Sequence, residues 1–240
     1  MNFVITMAGR GDRFVRAGFS EPKMLIPVRG RTLLEWSLGS LPLQLCTRLI
    51  FVGLADHERA HRLSERILPL LPAGLDCRWR WLDAVTRGQA ETAWMARTEV
   101  DPSKGILIFN IDTRFTSKTL ESALTDPSSD GVLGAFASSE PRFSYAAVSA
   151  TGTVTDVREK EVISPHALTG LYSFRRTPDF FATAENWIRR ELTVRGEFYI
   201  APMYADLIPM GRRFTLDHAE SVDVLGTPEE VEAFAVGTSR

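Results

Sequence analysis

Gly9, Gly11, Arg13 and Lys23, all within the first 23 residues, are suited to handling phosphate. The stretch Met7-Ala8-Gly9-Arg10-Gly11-Asp12-Arg13-Phe14 follows a short apolar run, and Ser20-Glu21-Pro22-Lys23 comes just after it. Glycine has no Cβ, so a Gly-rich turn can bring backbone N–H groups against phosphate oxygens. The turn is not a dinucleotide fingerprint, because Phe14 stands where the third glycine belongs. Nor is it a Walker loop, since no Gly-Lys-Ser/Thr follows. Arg13 and Lys23 instead place two cations just beyond the turn. Phosphoryl and nucleotidyl transfer need such charges, because negative charge shifts toward the leaving group in the transition state.

Other residues carry chemistry only in context. Asn110-Ile111-Asp112 ends the strongest apolar run, and ligands gather at the ends of parallel strands. Asp112 by itself reads as a turn residue or helix cap, although a carboxylate there also suits a hard cation such as Mg²⁺. Gln89, after Gly88, opens a helical pattern and by itself is a first-turn residue. Glu159-Lys160 alone reads as an exposed ion pair. His57-Glu58-Arg59-Ala60-His61 matches the His-Glu-x-x-His zinc-protease pattern letter for letter. It lies in a heavily charged amphipathic stretch, and a surface helix explains it better. A protease would also leave the Gly-rich turn and its cations without a purpose.

These residues need a frame of alternating strands and helices. Phe3–Ile5, Leu49–Val52, Cys77–Leu82 and Ile106–Phe109 read as strands. Helical patterns separate them at Thr32–Leu41, His57–Leu70 and Gln89–Val100, which predicts a parallel sheet with right-handed crossovers. After about Asp126 the spacing shortens. Gly131–Ala137, Phe143–Ser149, Thr153–Arg158 and Leu168–Phe174 predict an antiparallel or mixed extension. Helices at Pro178–Leu192 and Glu197–Ile208, a strand at Phe214–Leu216 and a helix at Pro228–Ala235 complete the pattern. The expected fold class is α/β: a Rossmann-like, mostly parallel sheet flanked by helices, with an antiparallel extension, in one domain spanning residues 1–240.

Composition narrows the partners. With 28 basic and 30 acidic residues the formal charge is -2, which removes the electrostatic argument for nucleic acid. No apolar segment approaches the roughly 20 residues of a membrane span. No secretory leader is recognisable, so a cytoplasmic protein is expected. Cys46 and Cys77 are too few for a disulfide framework and read as buried thiols.

In its ordered motifs the chain resembles the sugar-phosphate-type nucleotidyltransferases (NTP transferases of the pyrophosphorylase type) with a GT-A-like fold. Ala8 to Phe14, Pro22-Lys23 and Val28 to Arg31 carry the first match. Ser144-Tyr145, Val154 to Lys160, Ile163-Ser164, Thr169 to Tyr172 and Glu197 to Pro202 carry the second. Asp223 to Glu229 carries the last, around Gly226-Thr227. The resemblance implies that the Ala8, Gly9 and Gly11 turn holds the phosphates of an NTP, and that Arg13 steadies the departing pyrophosphate. Lys23 would neutralise the α-phosphate, with Gln89 and Asn110 on the nucleotide and Asp112 on Mg²⁺. Glu159 would accept bonds from acceptor hydroxyls and Lys160 would bind the acceptor phosphate, beside Thr169 and Gly170. Some relatives carry a second metal-binding aspartate two residues before the glycine. Asp223 lies three before Gly226, so its role as a second ligand stays open.

The expected reaction joins an NMP unit from an NTP to a small phosphorylated metabolite, by default a sugar 1-phosphate, and releases pyrophosphate. A cytidylyltransferase-like enzyme acting on a non-sugar phosphate remains an alternative. A catalytically silent nucleotide-binding regulator is another, though it would not need Arg13, Lys23 and Asp112 together. A glycosyltransferase of the same general fold uses an already activated donor and needs no such loop. Neither the base nor the oligomeric state, including a homo-oligomer, is readable from these residues.

Overall fold

A computed structural model of the chain describes residues 1–237. Its first half runs β1 (Asn2–Met7), α1 (Asp12–Arg16), β2 (Pro27–Val28), β3 (Arg31–Thr32), α2 (Leu33–Leu38), β4 (Arg48–Leu54), α3 (Ala55–His61), α4 (Leu63–Ile67), β5 (Cys77–Leu82), α5 (Gln89–Trp94) and β6 (Ile106–Asn110). There follow β7 (Thr113–Thr116), α6 (Leu120–Thr125), β8 (Gly131–Ala137), β9 (Ser144–Val148), β10 (Val154–Glu159) and β11 (His166–Phe174). The last part is α7 (Thr177–Arg189), α8 (Met203–Leu207), β12 (Phe214–His218), β13 (Ser221–Val224) and α9 (Pro228–Ala235).

Among the described residues, nine strands form one mixed sheet whose main path is β10-β9-β11-β6-β1-β4-β5, with β8 joined to β11 and β12. β6, β1, β4 and β5 are all parallel, as the alternation of strands and helices requires. β11 runs antiparallel to β6 and starts the expected extension. Successive strand side chains point to opposite faces, and both faces are covered. Val4, Ile50, Val52, Ile106 and Ile108 enter one apolar cluster, whereas Phe3, Ile5, Leu49, Phe51, Leu107 and Phe109 enter the other. The near-continuous apolar runs in the sequence come from this two-sided burial.

A third cluster joins the chain's two ends. Phe14, Ile26, Val28 and Leu33 pack with Leu225, Val231 and Phe234 of the last segment. Burying each of these large side chains contributes about 1.5–3 kcal/mol. The helix that carries Val231 and Phe234 starts from a capping box, Thr227 with Glu230. Thr32 and Glu35 form a second such box at the start of α2.

Several expected helices are shorter than their patterns, α2 among them. The 57–70 stretch is broken at Arg62, whose φ is 51°, and the Glu58 carboxylate accepts the Ser64 N–H at 2.9 Å across the break. α5 ends at Trp94 and tightens into a 3₁₀ turn over Met95–Thr98. Glu197 to Pro202 is not helical, and α8 begins only at Met203. The backbone there is used elsewhere. Phe198 N–H donates to Arg87 C=O at 2.9 Å, and its carbonyl accepts the Ala90 N–H at 2.9 Å. The β7–β13 pair was not anticipated, because its strands are four residues each and 105 residues apart at Thr116 and Ser221.

Gly88 makes the docking of Phe198 possible. Its φ is +146°, and a Cβ there would fall 2.5 Å from the Phe198 carbonyl oxygen. Gly88→Ala should therefore destabilise the fold by about 2–4 kcal/mol, through backbone strain and overlap together. Urea unfolding would show this as a lowered midpoint; an unchanged midpoint would mean that the two segments separate without cost.

Candidate active site

The Gly-rich turn leaves the carboxyl end of β1. Ala8 is buried, Gly9 is exposed and Gly11 has φ +70°. The Gly11 carbonyl accepts the N–H groups of Phe14 and Val15 at 2.8 and 3.1 Å, which starts α1. A side chain at Gly9 would meet nothing within 4 Å, so space remains over the turn for a ligand. Arg13 is exposed, and among the described residues its guanidinium makes no hydrogen bond or ion pair. Its charge reaches Glu229 at the start of α9. That carboxyl is held below its usual range first by a backbone N–H and the Thr227 hydroxyl, and then by Arg13.

Lys23 begins a 3₁₀ turn whose Met24 and Leu25 are buried, so packing fixes where its side chain starts. Its Nζ lies 2.7 Å from Asp112 Oδ2 and 5.2 Å from the Phe14 ring centroid. Asp112 follows β6, the strand beside β1, and its carbonyl accepts the Leu225 N–H at 2.7 Å. The side chain of Lys23 is 13% exposed and that of Asp112 33%, so the carboxylate stays accessible beside its cation. The two residues are 89 positions apart, and the sheet brings them together.

Asp223 is placed differently. It stands opposite Arg114 in the β7–β13 pair, and its Oδ2 accepts from Arg114 Nη1 at 2.7 Å. Val224 and Asp112 line one pocket together.

That pocket has a volume of about 220 Å³ and is lined by Gln89, Asn110, Asp112, Glu159, Thr169 and Gly170, all singled out from the sequence. Gly170 has φ +88°, and a Cβ there would come 2.4 Å from Asn110 Nδ2. Only glycine lets β11 pass so close to the end of β6. Asn110 Oδ1 is buried and, among the described residues, has no partner. An orphaned acceptor of this kind is costly unless a ligand or water completes it. Gln89 Nε2 reaches the Thr6 hydroxyl at 3.3 Å, and that hydroxyl donates to Phe109 C=O at 3.2 Å.

On the far side, Glu159 is the central group. Burial pushes its carboxyl above the ordinary glutamate range, and the Ser144 hydroxyl donates to it. Tyr172 and Tyr199 also line this wall. Burial raises both phenols, and nearby carboxylates raise them further. Lys160, with φ 56°, bonds the Tyr199 hydroxyl and lies 4.5 Å from its ring centroid.

Arg195 was missed from the sequence. It is exposed and outside the pocket lining, and its charge reaches Glu159 and Tyr199, lowering both. Arg195-Gly196 ahead of Glu197-Phe198 was the available signal. Arg142, Phe136 and Phe143 line the pocket and had no motif to announce them.

The His-Glu-x-x-His segment builds no zinc site. His57 and His61 lie with ring centroids 6.4 Å apart, while Glu58 is engaged by Ser64. Among the described residues, no group of three or more His, Cys, Asp or Glu side chains is arranged to hold a metal. Also among them, no helix is long and apolar enough to cross a membrane.

A Gly-rich turn and a lysine–aspartate pair at the carboxyl ends of β1 and β6, facing a polar pocket, define an α/β protein of the nucleotidyltransferase type. The nucleoside-diphosphate-sugar pyrophosphorylase of Vibrio cholerae RC9 is 31% identical, covering 98% of this chain and 99% of that one, with a TM-score of 0.83. The chain therefore belongs to the sugar-phosphate nucleotidyltransferase family with the GT-A-like fold. Two more distant structures share the fold. A provisionally assigned glucose-1-phosphate thymidylyltransferase from Bacillus anthracis, with sucrose bound, is 18% identical over 99% of this chain and 95% of that one, with a TM-score of 0.77. The inositol-1-phosphate CTP transferase of T. maritima is 16% identical over 100% and 98%, with a TM-score of 0.74. No protein-family model and no curated protein matches the chain.

Burial of Glu159 has a consequence for stability. The folded chain holds the Glu159 proton more tightly than the unfolded chain does. That stabilisation is complete below the usual glutamate value of about 4.3 and is lost as pH rises through the raised value. Glu159→Gln removes the titration, so its melting temperature should gain on wild type as pH rises above about 4.3. A difference that stays constant with pH would show that the carboxyl is not raised.

Proposed function

We propose that the chain transfers a nucleoside monophosphate from an NTP to the phosphate of a small acceptor, with release of pyrophosphate. The observation that carries this reading is the Lys23–Asp112 pair, set between the Gly-rich turn and the Glu159 pocket. A phosphate oxygen of the acceptor attacks the α-phosphorus in line. The bond from that phosphorus to the bridging oxygen breaks, and its electron pair leaves with pyrophosphate. A phosphate dianion is already a nucleophile near neutral pH, so no general base is required. The chain's task is positioning and charge stabilisation.

Each segment then has a role. Backbone of the Ala8, Gly9 and Gly11 turn would cradle the NTP phosphates, with Gln89 and Asn110 toward the nucleoside. Lys23 would stabilise charge at the α-phosphate, and exposed Arg13 would steady the departing pyrophosphate. Glu159 would accept hydrogen bonds from acceptor hydroxyls, with Lys160 and Arg195 toward the acceptor phosphate and Thr169-Gly170 forming the floor. A sugar 1-phosphate or a similar polyol phosphate is the acceptor class this wall suits. The acceptors named for the similar structures, glucose 1-phosphate and inositol 1-phosphate, support that choice.

The donor set fits Mg²⁺. This ion is commonly held by one or two carboxylates together with substrate phosphates, and Asp112 is an accessible carboxylate at the right strand end. When bound, Mg²⁺ would supply neutralisation of the phosphate oxygens. Asp112 would hold it, and Lys23 would then be released toward the phosphates. Asp223 would contribute only on leaving Arg114.

Pyrophosphate release should require Mg²⁺, one NTP and one member of a panel of sugar and non-sugar phosphates. Lys23→Ala should lower turnover about 10²–10³-fold with the circular dichroism spectrum intact, as loss of one charge-stabilising group does. Unchanged turnover would remove Lys23 from the reaction. Magnesium titrations separate the two aspartates: Asp112→Asn should raise the half-saturating Mg²⁺ concentration at least tenfold, and Asp223→Asn much less. Equal shifts in both variants would instead make Asp223 a ligand.

A further inference from the structure

The acceptor pocket has a large neighbour. A groove of about 760 Å³ lies beside it, between the β8–β9 connection and the β13–α9 segment. Phe136, Arg142, Phe143 and Val224 line both spaces, so they form the wall between them. Arg142 is the long, charged member of that wall. Its Nε donates to Glu140 Oε2 at 2.9 Å, its Nη1 pairs with Glu230 Oε1, and its guanidinium carbon lies 4.6 Å from the Phe143 ring centroid.

The two ends of this pair are held differently. The other oxygen of Glu230 accepts the N–H groups of Gly226 and Thr227 at 2.8 and 2.9 Å, so helix capping fixes that carboxylate. Arg142 is 48% exposed and reaches across from a short connection. Glu230 Oε2 and Asp112 Oδ2 also flank Gly226, at 3.2 and 3.9 Å from the position of an added Cβ. The pair therefore closes the wall close to the reacting centre.

We propose that Arg142, held across the gap by Glu230, is a partition that confines the acceptor to the smaller pocket and restricts the enzyme to compact phosphorylated acceptors. This rests on the acceptor reading given above. A phosphorylated monosaccharide or cyclitol fits behind the partition, whereas a second sugar ring needs the groove beyond it. Arg142 thus sets acceptor size without touching the reacting atoms.

Saturation-transfer NMR reads the partition independently of turnover, with glucose 1-phosphate and inositol 1-phosphate as compact probes and maltose 1-phosphate as the extended one. Wild type should bind a compact probe and not maltose 1-phosphate. Arg142→Ala should acquire maltose 1-phosphate binding, while its affinity for the compact probe stays within about fivefold, the scale of an exposed ion pair. Glu230→Gln keeps an oxygen for the helix cap but weakens the hold on Arg142, and should show a partial gain. Wild-type binding of maltose 1-phosphate, or no gain in two variants that still bind the compact probe, would overturn the partition. A tenfold or greater loss of the compact probe in Arg142→Ala would overturn it too, and make Arg142 a direct acceptor ligand. Wild type binding no probe at all would overturn the acceptor reading and the partition with it. Pyrophosphate release without a gain in Arg142→Ala would overturn the partition alone.

Discussion

β1 and β6 lie side by side in parallel register, from Asn2 opposite Ile106 to Thr6 opposite Asn110. Apolar layers bury both faces of this pair, so neither strand can slip without exposing its whole apolar set. The rest of the site is suspended from their carboxyl ends. The Gly-rich turn leaves one strand and Asp112 leaves the other, and a rigid sheet separates them by one strand spacing. Lys23 needs only a short 3₁₀ turn, anchored by Met24 and Leu25, to reach Asp112 from there.

The last segment of the chain closes what the first segment opens. Leu225, Val231 and Phe234 pack on Phe14, Ile26 and Val28, and Leu225 also bonds the Asp112 carbonyl. The Thr227–Glu230 capping box then fixes a carboxylate beside Gly226. Apolar packing, backbone bonding and a charged group thereby converge on one turn. It is the packing, more than any exposed ion pair, that supplies the stability of this junction.

Charges around the site are arranged in short pairs: Lys23 with Asp112, Arg114 with Asp223, Arg142 with Glu230. Arg13 stands outside this set and has Glu229 in its field. The opposite wall is built from Glu159, Ser144, Tyr172 and Tyr199, where burial favours neutral forms. A cationic, Gly-rich side thus faces a hydroxyl- and carboxyl-lined side across Asp112. Such an asymmetric cleft suits two substrates of different chemistry.

Much of this was legible in the residues. β1, β4 and β6 stand where apolar runs predicted them, because burial on both faces leaves a continuous signal, and the edge strand β5 stands where an alternating pattern did. Cys77–Leu82 and Pro228–Ala235 match their predicted bounds. The Gly-rich turn, Lys23 and Asp112 were visible because glycine, cations and a strand-end carboxylate are local features. The helix near Arg62 was misjudged because the local Glu58–Ser64 bond bridges a left-handed break, and the one near Phe198 because a distant segment took its backbone groups; no periodicity records either. Asp223 was an open candidate ligand, and only the fold shows that β7 sets Arg114 opposite it; Arg142 came to notice only once the pocket assembled. The sequence by itself determined the parallel, helix-separated strands of the first half and marked the Gly-rich turn, Lys23 and Asp112, since both follow from local pattern and residue chemistry. Only the tertiary structure decided which carboxylate meets which cation, because those partners lie 89 and 109 residues apart and the folded sheet alone sets their distance.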